Sequence, residues 1–143
     1  MMSDVPNAIR IKVDTREKNT QVIKHWKEFS GNFAGLEYEF VEMELGDYAI
    51  GSSTIIERKS STDFMLSVMD KHILNNVAKL KQTYEHVVYI VEGDIYTPRF
   101  HSDPAALRKA IANMTVKEKV SLVPSPGPQN TAELIYLMAQ LAN

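Results

Sequence analysis

A run of β-branched residues that ends abruptly in charge, Thr54-Ile55-Ile56-Glu57-Arg58-Lys59, constrains this chain more than any other segment. Branching at Cβ favours extended backbone, and the preceding Gly51-Ser52-Ser53 reads as a turn. Tyr48-Ala49-Ile50 lies on the other side of that turn, so residues 48–59 read as a hairpin. Side chains alternate along a strand, which puts Glu57 and Lys59 on one face and Arg58 on the other. Folding the hairpin also brings Asp47, just after Gly46, towards Glu57. Two carboxylates converging on one point repel each other unless a cation lies between them, and hard oxygen donors suit Mg²⁺ or Mn²⁺. A charged triplet alone usually marks a solvated face. The glycine-acid turn, the apolar run, the triplet and a further acid at Asp63 together mark a site.

A second acidic group lies upstream. Ile9, Ile11 and Val13 alternate with Arg10 and Lys12, and the run ends in Asp14-Thr15-Arg16-Glu17. Functional side chains gather at strand ends, where a rigid sheet holds them. Asp14 or Thr15 serves equally well as a cap for the following helical turn, with Glu17 favoured by its dipole.

With both groups in view, the chain resembles the nuclease domain of the XPF/Hef family of structure-specific DNA endonucleases, in its archaeal-like form, within the PD-(D/E)XK superfamily. The residues that carry the likeness are VDTRE at 13–17, Gly46-Asp47, Glu57-Arg58-Lys59, and Asp63 after three intervening residues. A looser likeness continues through DFMLSVMD at 63–70 and VVYIVEG at 87–93. The resemblance implies a restriction-endonuclease-like fold. It also implies that Asp47 and Glu57 bind the metal, with Asp14 and Glu17 as site acids, behind those ligands or at a second metal, and Asp14 as a candidate ligand. Lys59 would meet the attacking water or the scissile phosphate, and Arg58 and Asp63 would support the site. His72 and Asn76 stand where family members usually carry Arg and Gln, so altered DNA contact is expected there. The likeness further implies a homodimer and branched DNA (flap, fork or splayed arm) as substrate, in repair or fork processing. Family members commonly join the nuclease domain to a DNA-binding or helicase region, and a sliding clamp is a further candidate partner.

At 143 residues without cysteine, the chain is expected to form one nuclease domain, with neither disulfides nor thiolate metal sites. No stretch approaches a membrane span, and a cytoplasmic, nucleoid-associated protein is expected. The formal net charge of −2 predicts weak, salt-sensitive DNA binding by this domain alone.

The remaining periodicity alternates between strands and helices: strand 36–45, helices 61–68 and 71–84, a buried strand 86–91, a helix from Pro104 to Met114, strand 120–123 and a terminal helix. Asn130 with Glu133 reads as the capping box of that last helix. An α/β fold with a mixed central sheet flanked by helices follows. Arg16, His72, Asn76, Lys79 and Arg99 are the candidates for DNA contact, Arg99 within the Tyr96–His101 loop. Leu134, Leu137, Met138 and Leu141, with Leu107, Ile111 and Met114, are the candidate dimer surface. Two other readings stand beside the first: a different nuclease on the same core, such as a junction resolvase, and a non-catalytic partner subunit. The latter would be expected to have lost its acids, which are all present.

Overall fold

The computed structural model describes residues 8–97 and 103–142. Six strands form one mixed sheet: β1 (Ile9–Asp14), β2 (Leu36–Val41), β3 (Tyr48–Ile50), β4 (Thr54–Ser60), β5 (His86–Glu92) and β6 (Ser121–Ser125). Their order is β2-β1-β3-β4-β5-β6. β1 pairs in parallel with β2, β4 with β5, and β5 with β6, while β3 runs antiparallel to both β1 and β4. The expected hairpin is therefore the reversal at the centre of the sheet, with Tyr48 opposite Ile56 and Ile50 opposite Thr54.

The period of two decides which residues enter which layer. Ile9, Ile11, Val13, Tyr48, Ile50, Ile56, Val88 and Ile90 face α1 (Gln21–Glu28) and α5 (Pro128–Ala142), where they meet Val22, Ile23, Trp26, Ala132, Ile135 and Ala139. Ile55, Val87, Tyr89 and Val91 face the opposite layer, built by α2 (Ser61–Met69), α3 (Ile73–Thr83) and α4 (Pro104–Ala112). Val87 to Val91 are all buried, as the unbroken apolar run predicts for a strand covered on both sides. Each fully buried Val, Ile or Phe contributes about 1.5–3 kcal/mol of transfer free energy. Polar ties add direction: Trp26 Nε1 donates to the Ala132 carbonyl at 3.0 Å, and Tyr136 Oη to the Ala34 carbonyl at 2.6 Å.

Three expected boundaries shift. β2 stops at Val41 instead of 45, because the Met43 amide turns to donate to Asp14 Oδ1 at 2.7 Å and leaves the ladder. α5 begins at Pro128, whose missing N–H costs nothing at a helix start, so Asn130 lies inside the first turn. The Asn130 side chain donates to Ser125 Oγ instead of capping. α4 ends at Ala112 and continues through one π-turn at Asn113–Lys117. Between α2 and α3, Lys71 occupies the left-handed region at φ 62°. His72 N–H closes that turn on the Ser67 carbonyl at 3.0 Å. At the far edge, β6 carries Pro124 opposite Val91.

Candidate active site

Asp47 is held by its own backbone before its side chain does anything. Its N–H donates to the Ile56 carbonyl at 2.9 Å, and its carbonyl accepts from Asp14 N–H at 2.8 Å, so one residue ties β4 to β1. Gly46 makes the approach possible. It sits at φ 91°, and a Cβ there would lie 2.4 Å from Ile55 Cγ1. The Asp47 carboxylate is then fixed by Arg58, whose backbone N–H donates to Oδ2 at 2.7 Å.

Glu57 continues the β3–β4 ladder one step beyond the Tyr48–Ile56 pair, which brings it to Asp47. Burial pushes its pKa up to about 8, and the charge and hydrogen bond of Asp47 add to the rise, against the pull of Lys59 and Arg16. Glu57 therefore favours its protonated form near neutral pH. The pair it forms with Asp47 is also a fitting seat for a hard divalent cation: two oxygen donors with fixed backbones, leaving the other positions to water and substrate oxygens, as Mg²⁺ commonly requires. Lys59 shares their face and lies within electrostatic reach of Glu57.

The Asp14 carboxylate is engaged by Arg16 and Met43. Its Oδ2 accepts from Arg16 N at 2.9 Å and from Arg16 Nε at 2.5 Å, and its Oδ1 from Met43 N–H. Burial raises its pKa, but these partners outweigh it and leave the carboxyl below its ordinary value. Among the described residues, no group of three or more His, Cys, Asp or Glu is gathered in metal-ligating geometry. Asp14 thus fulfils the capping alternative and also orients Arg16, whose charge reaches Asp47 and Glu57.

Glu17 and Arg58 lie together on the other face of the sheet. They belong to a buried cluster on the α1/α5 side of the sheet, behind the Glu57–Lys59 face. Tyr48 Oη donates to Glu17 Oε1 at 2.6 Å, and Arg58 reaches the same oxygen at 3.3 Å and Glu92 Oε2 at 2.9 Å. Thr131 Oγ1 donates to Glu92 Oε2 at 2.6 Å. Burial raises the Glu17 pKa, with the Asp47 charge adding to it, while Tyr48 and Arg58 oppose the rise. Burial would lower the Arg58 pKa, but Glu92 and Glu17 more than compensate. Tyr48, Glu92 and Thr131 were not visible as site-related in the sequence. Tyr48 adjoins Asp47, but no spacing rule links β5's end or the start of α5 to the motif.

The outlying candidates divide. Asp63 is exposed at the third position of α2, where its N–H bonds Ser60 Oγ and its charge suits the helix start. His72 precedes α3 without a side-chain cap, and Lys79 is exposed on that helix with Asn76 half-buried beside it. Arg99 lies outside the described residues, as does the loop from Pro98 to Ser102. Leu107 and Met114 are core residues and do not reach a dimer surface, whereas Leu137 and Leu141 on α5 are 53% and 90% exposed. A groove of about 920 Å³ along β1, β2 and β3 includes Met43 but neither Asp47 nor Glu57.

Comparison with known proteins adds a separate line of observation. A family model described as "ERCC4 domain" matches residues 13–138. The 3′-flap repair endonuclease Xpf of Saccharolobus solfataricus is 30% identical over 133 residues, covering 92% of this chain and 55% of that protein. MJ1505 of Methanocaldococcus jannaschii is 31% identical over 132 residues, covering 92% of this chain and 15% of that protein. The solved structure of XPF from Aeropyrum pernix matches with a TM-score of 0.82 at 30% identity, over 94% of this chain and 61% of that one. A structure of that XPF in complex with DNA matches with the same score, over 92% and 64%. The chain thus spans less than two thirds of the length of each of these relatives.

Proposed function

The chain belongs to the ERCC4-domain family, homologous to archaeal XPF, and from that premise we propose that it is a divalent-metal-dependent endonuclease acting on branched DNA. The observation that carries the chemistry is the Asp47–Glu57 carboxylate pair, fixed by backbone bonds and sharing its face with Lys59. Asp47 and Glu57 are the residues that would hold Mg²⁺ or Mn²⁺, with Asp14 holding Arg16 over them. Bound there, the ion supplies Lewis-acid stabilisation of the phosphodiester and acidifies water at the site.

The other steps fall to the chain itself. Lys59 and Arg16 offer positive charge where negative charge develops on the phosphoryl oxygens. Attack by water forms one P–O bond as the bond to the leaving sugar oxygen breaks, so no protein nucleophile is required. His72, Asn76 and Lys79 of the α3 region are proposed to follow the DNA backbone away from the cut. Flap preference is taken from the 3′-flap repair endonuclease relative, and the DNA-bound XPF structure supports DNA as the partner. Self-association through the exposed Leu137 and Leu141 of α5 and a cytoplasmic location complete the reading. A non-catalytic role is disfavoured because Asp14, Asp47, Glu57 and Lys59 are all present.

Cleavage of labelled flap, fork, Holliday-junction and linear DNA, with Mg²⁺, Mn²⁺ or chelator, tests this reading. Flap or fork cleavage is expected with metal and none in chelator, and Asp47→Asn should abolish it with the fold intact. Undiminished cleavage by Asp47→Asn, or cutting in chelator, refutes the assignment, and preferred cutting of the Holliday junction selects the resolvase alternative.

A further inference from the structure

We propose that Glu92, supported by Thr131, is a positioning residue for the catalytic edge. It acts from behind the sheet through Arg58. This inference rests on the functional reading above and extends it to residues that touch neither metal nor DNA.

Arg58 occupies the strand position between Glu57 and Lys59, with its side chain on the opposite face. Its backbone N–H fixes the Asp47 carboxylate at 2.7 Å, so any movement of this peptide is felt by both proposed ligands. Its guanidinium is clamped between two carboxylates, the half-buried Glu92 at 2.9 Å and the buried Glu17 at 3.3 Å. Glu92 lies at the end of β5, paired in register with Ser60, so the clamp spans the β4–β5 ladder. Glu92 is in turn held by the fully buried Thr131 hydroxyl at 2.6 Å, in the first turn of α5.

The consequence is geometric. An arginine forked between two carboxylates cannot rotate without breaking charge-assisted bonds in a poorly hydrated layer. The strand segment that carries Glu57 and Lys59 on its front is therefore fixed from its back, as outer partners fix metal ligands in other sites. Glu17 alone leaves the guanidinium one anchor on the β1 side. Glu92 supplies the second anchor, on the β5 side, and sets its direction.

The test uses Glu92→Ala, Glu92→Gln and Thr131→Val in the whole chain. Mn²⁺ affinity is measured by titration calorimetry well below each variant's thermal midpoint, beside kcat and KM on a labelled flap. Glu92→Ala should weaken Mn²⁺ binding by roughly tenfold, within the range known for outer partners of metal ligands. It should also lower kcat with KM for DNA unchanged, because Glu92 faces away from the reacting side. Glu92→Gln, which keeps an acceptor for Arg58 Nε, should recover part of the affinity, and Thr131→Val should lose less than Glu92→Ala. A merely structural role would lower the melting temperature and leave the folded protein's Mn²⁺ affinity intact, and that outcome overturns the proposal. Should Glu92→Ala fail to fold, unchanged affinity and kcat in both Glu92→Gln and Thr131→Val overturn it equally. A wild type that binds Mn²⁺ and cuts DNA, beside variants that do the same, refutes this inference alone. A wild type that does neither refutes the functional reading, and this inference falls with it.

Discussion

Replacing Glu57 by glutamine is expected to make the metal-free protein more stable while abolishing cleavage. Burial and the Asp47 charge push the Glu57 pKa from 4.5 to about 8, so the folded chain keeps a proton that the unfolded chain loses. The stability associated with protonated Glu57 is fully present below about pH 4.5. It declines as pH rises towards 8 and levels off beyond that. At about 1.4 kcal/mol per pKa unit, the rise sets a ceiling of about 5 kcal/mol on the cost of ionising Glu57. Water reaching a half-buried carboxylate, and relaxation around it, bring the expected gain from glutamine to about 2 kcal/mol at pH 8. For a chain of this size that is a melting temperature about 6–8 °C higher. Thermal melts of wild type and Glu57→Gln in chelator at pH 5 and pH 8 measure it: a small difference at pH 5, a large one at pH 8. Mn²⁺ should raise the wild-type midpoint at pH 8 and leave the variant's almost unmoved. A variant that melts at or below wild type at pH 8 would show that Asp47 and Glu57 do not crowd each other, and the site would lose its electrostatic basis.

Three further outcomes are expected. Lys71→Gly relieves a bulky residue at φ 62° and should stabilise the fold by about 1 kcal/mol, read as a higher urea midpoint with an unchanged slope. Gly46→Ala forces a Cβ against Ile55 at positive φ, and should cost about 2 kcal/mol or more by the same assay and impair cleavage by displacing Asp47. The pair Leu137→Arg and Leu141→Arg should convert a dimer to a monomer in light scattering without lowering the melting temperature, since both side chains lie outside the core. A wild type that is monomeric at every concentration would refute the α5 association.

Period-two alternation carried the sheet well. Ile9, Ile11 and Val13, the 48–59 hairpin and the apolar run ending in Val91 each fell where their pattern put them. The Asp47–Glu57 encounter followed from the same hairpin geometry. Features set by tertiary partners were not legible. β2 ends where Asp14 captures an amide, and the start of α5 was obscured because Asn130 and Glu133 imitate a cap inside a helix already begun at Pro128. Alternation did place Arg58 opposite Glu57, but one strand cannot show that Glu92, 34 residues further along the chain, and Thr131, 39 residues beyond Glu92, wait on that side. Leu107 and Met114 had the look of a surface stripe because the sequence alone does not say which side of a short helix the sheet will cover.

Pro124 gives the two borders of the sheet unequal prospects. It sits in the outermost strand and brings no amide hydrogen to it, so the β6 border offers an interrupted template to an incoming strand. The opposite border, β2, presents Glu37 and Glu39 in register with Arg10 and Lys12, and a strand arriving there must answer a row of alternating charge. Growth by sheet extension is thus discouraged at one side by geometry and filtered at the other by electrostatics. A molecule built this way is guarded at both borders against its strands joining into fibres at high local concentration.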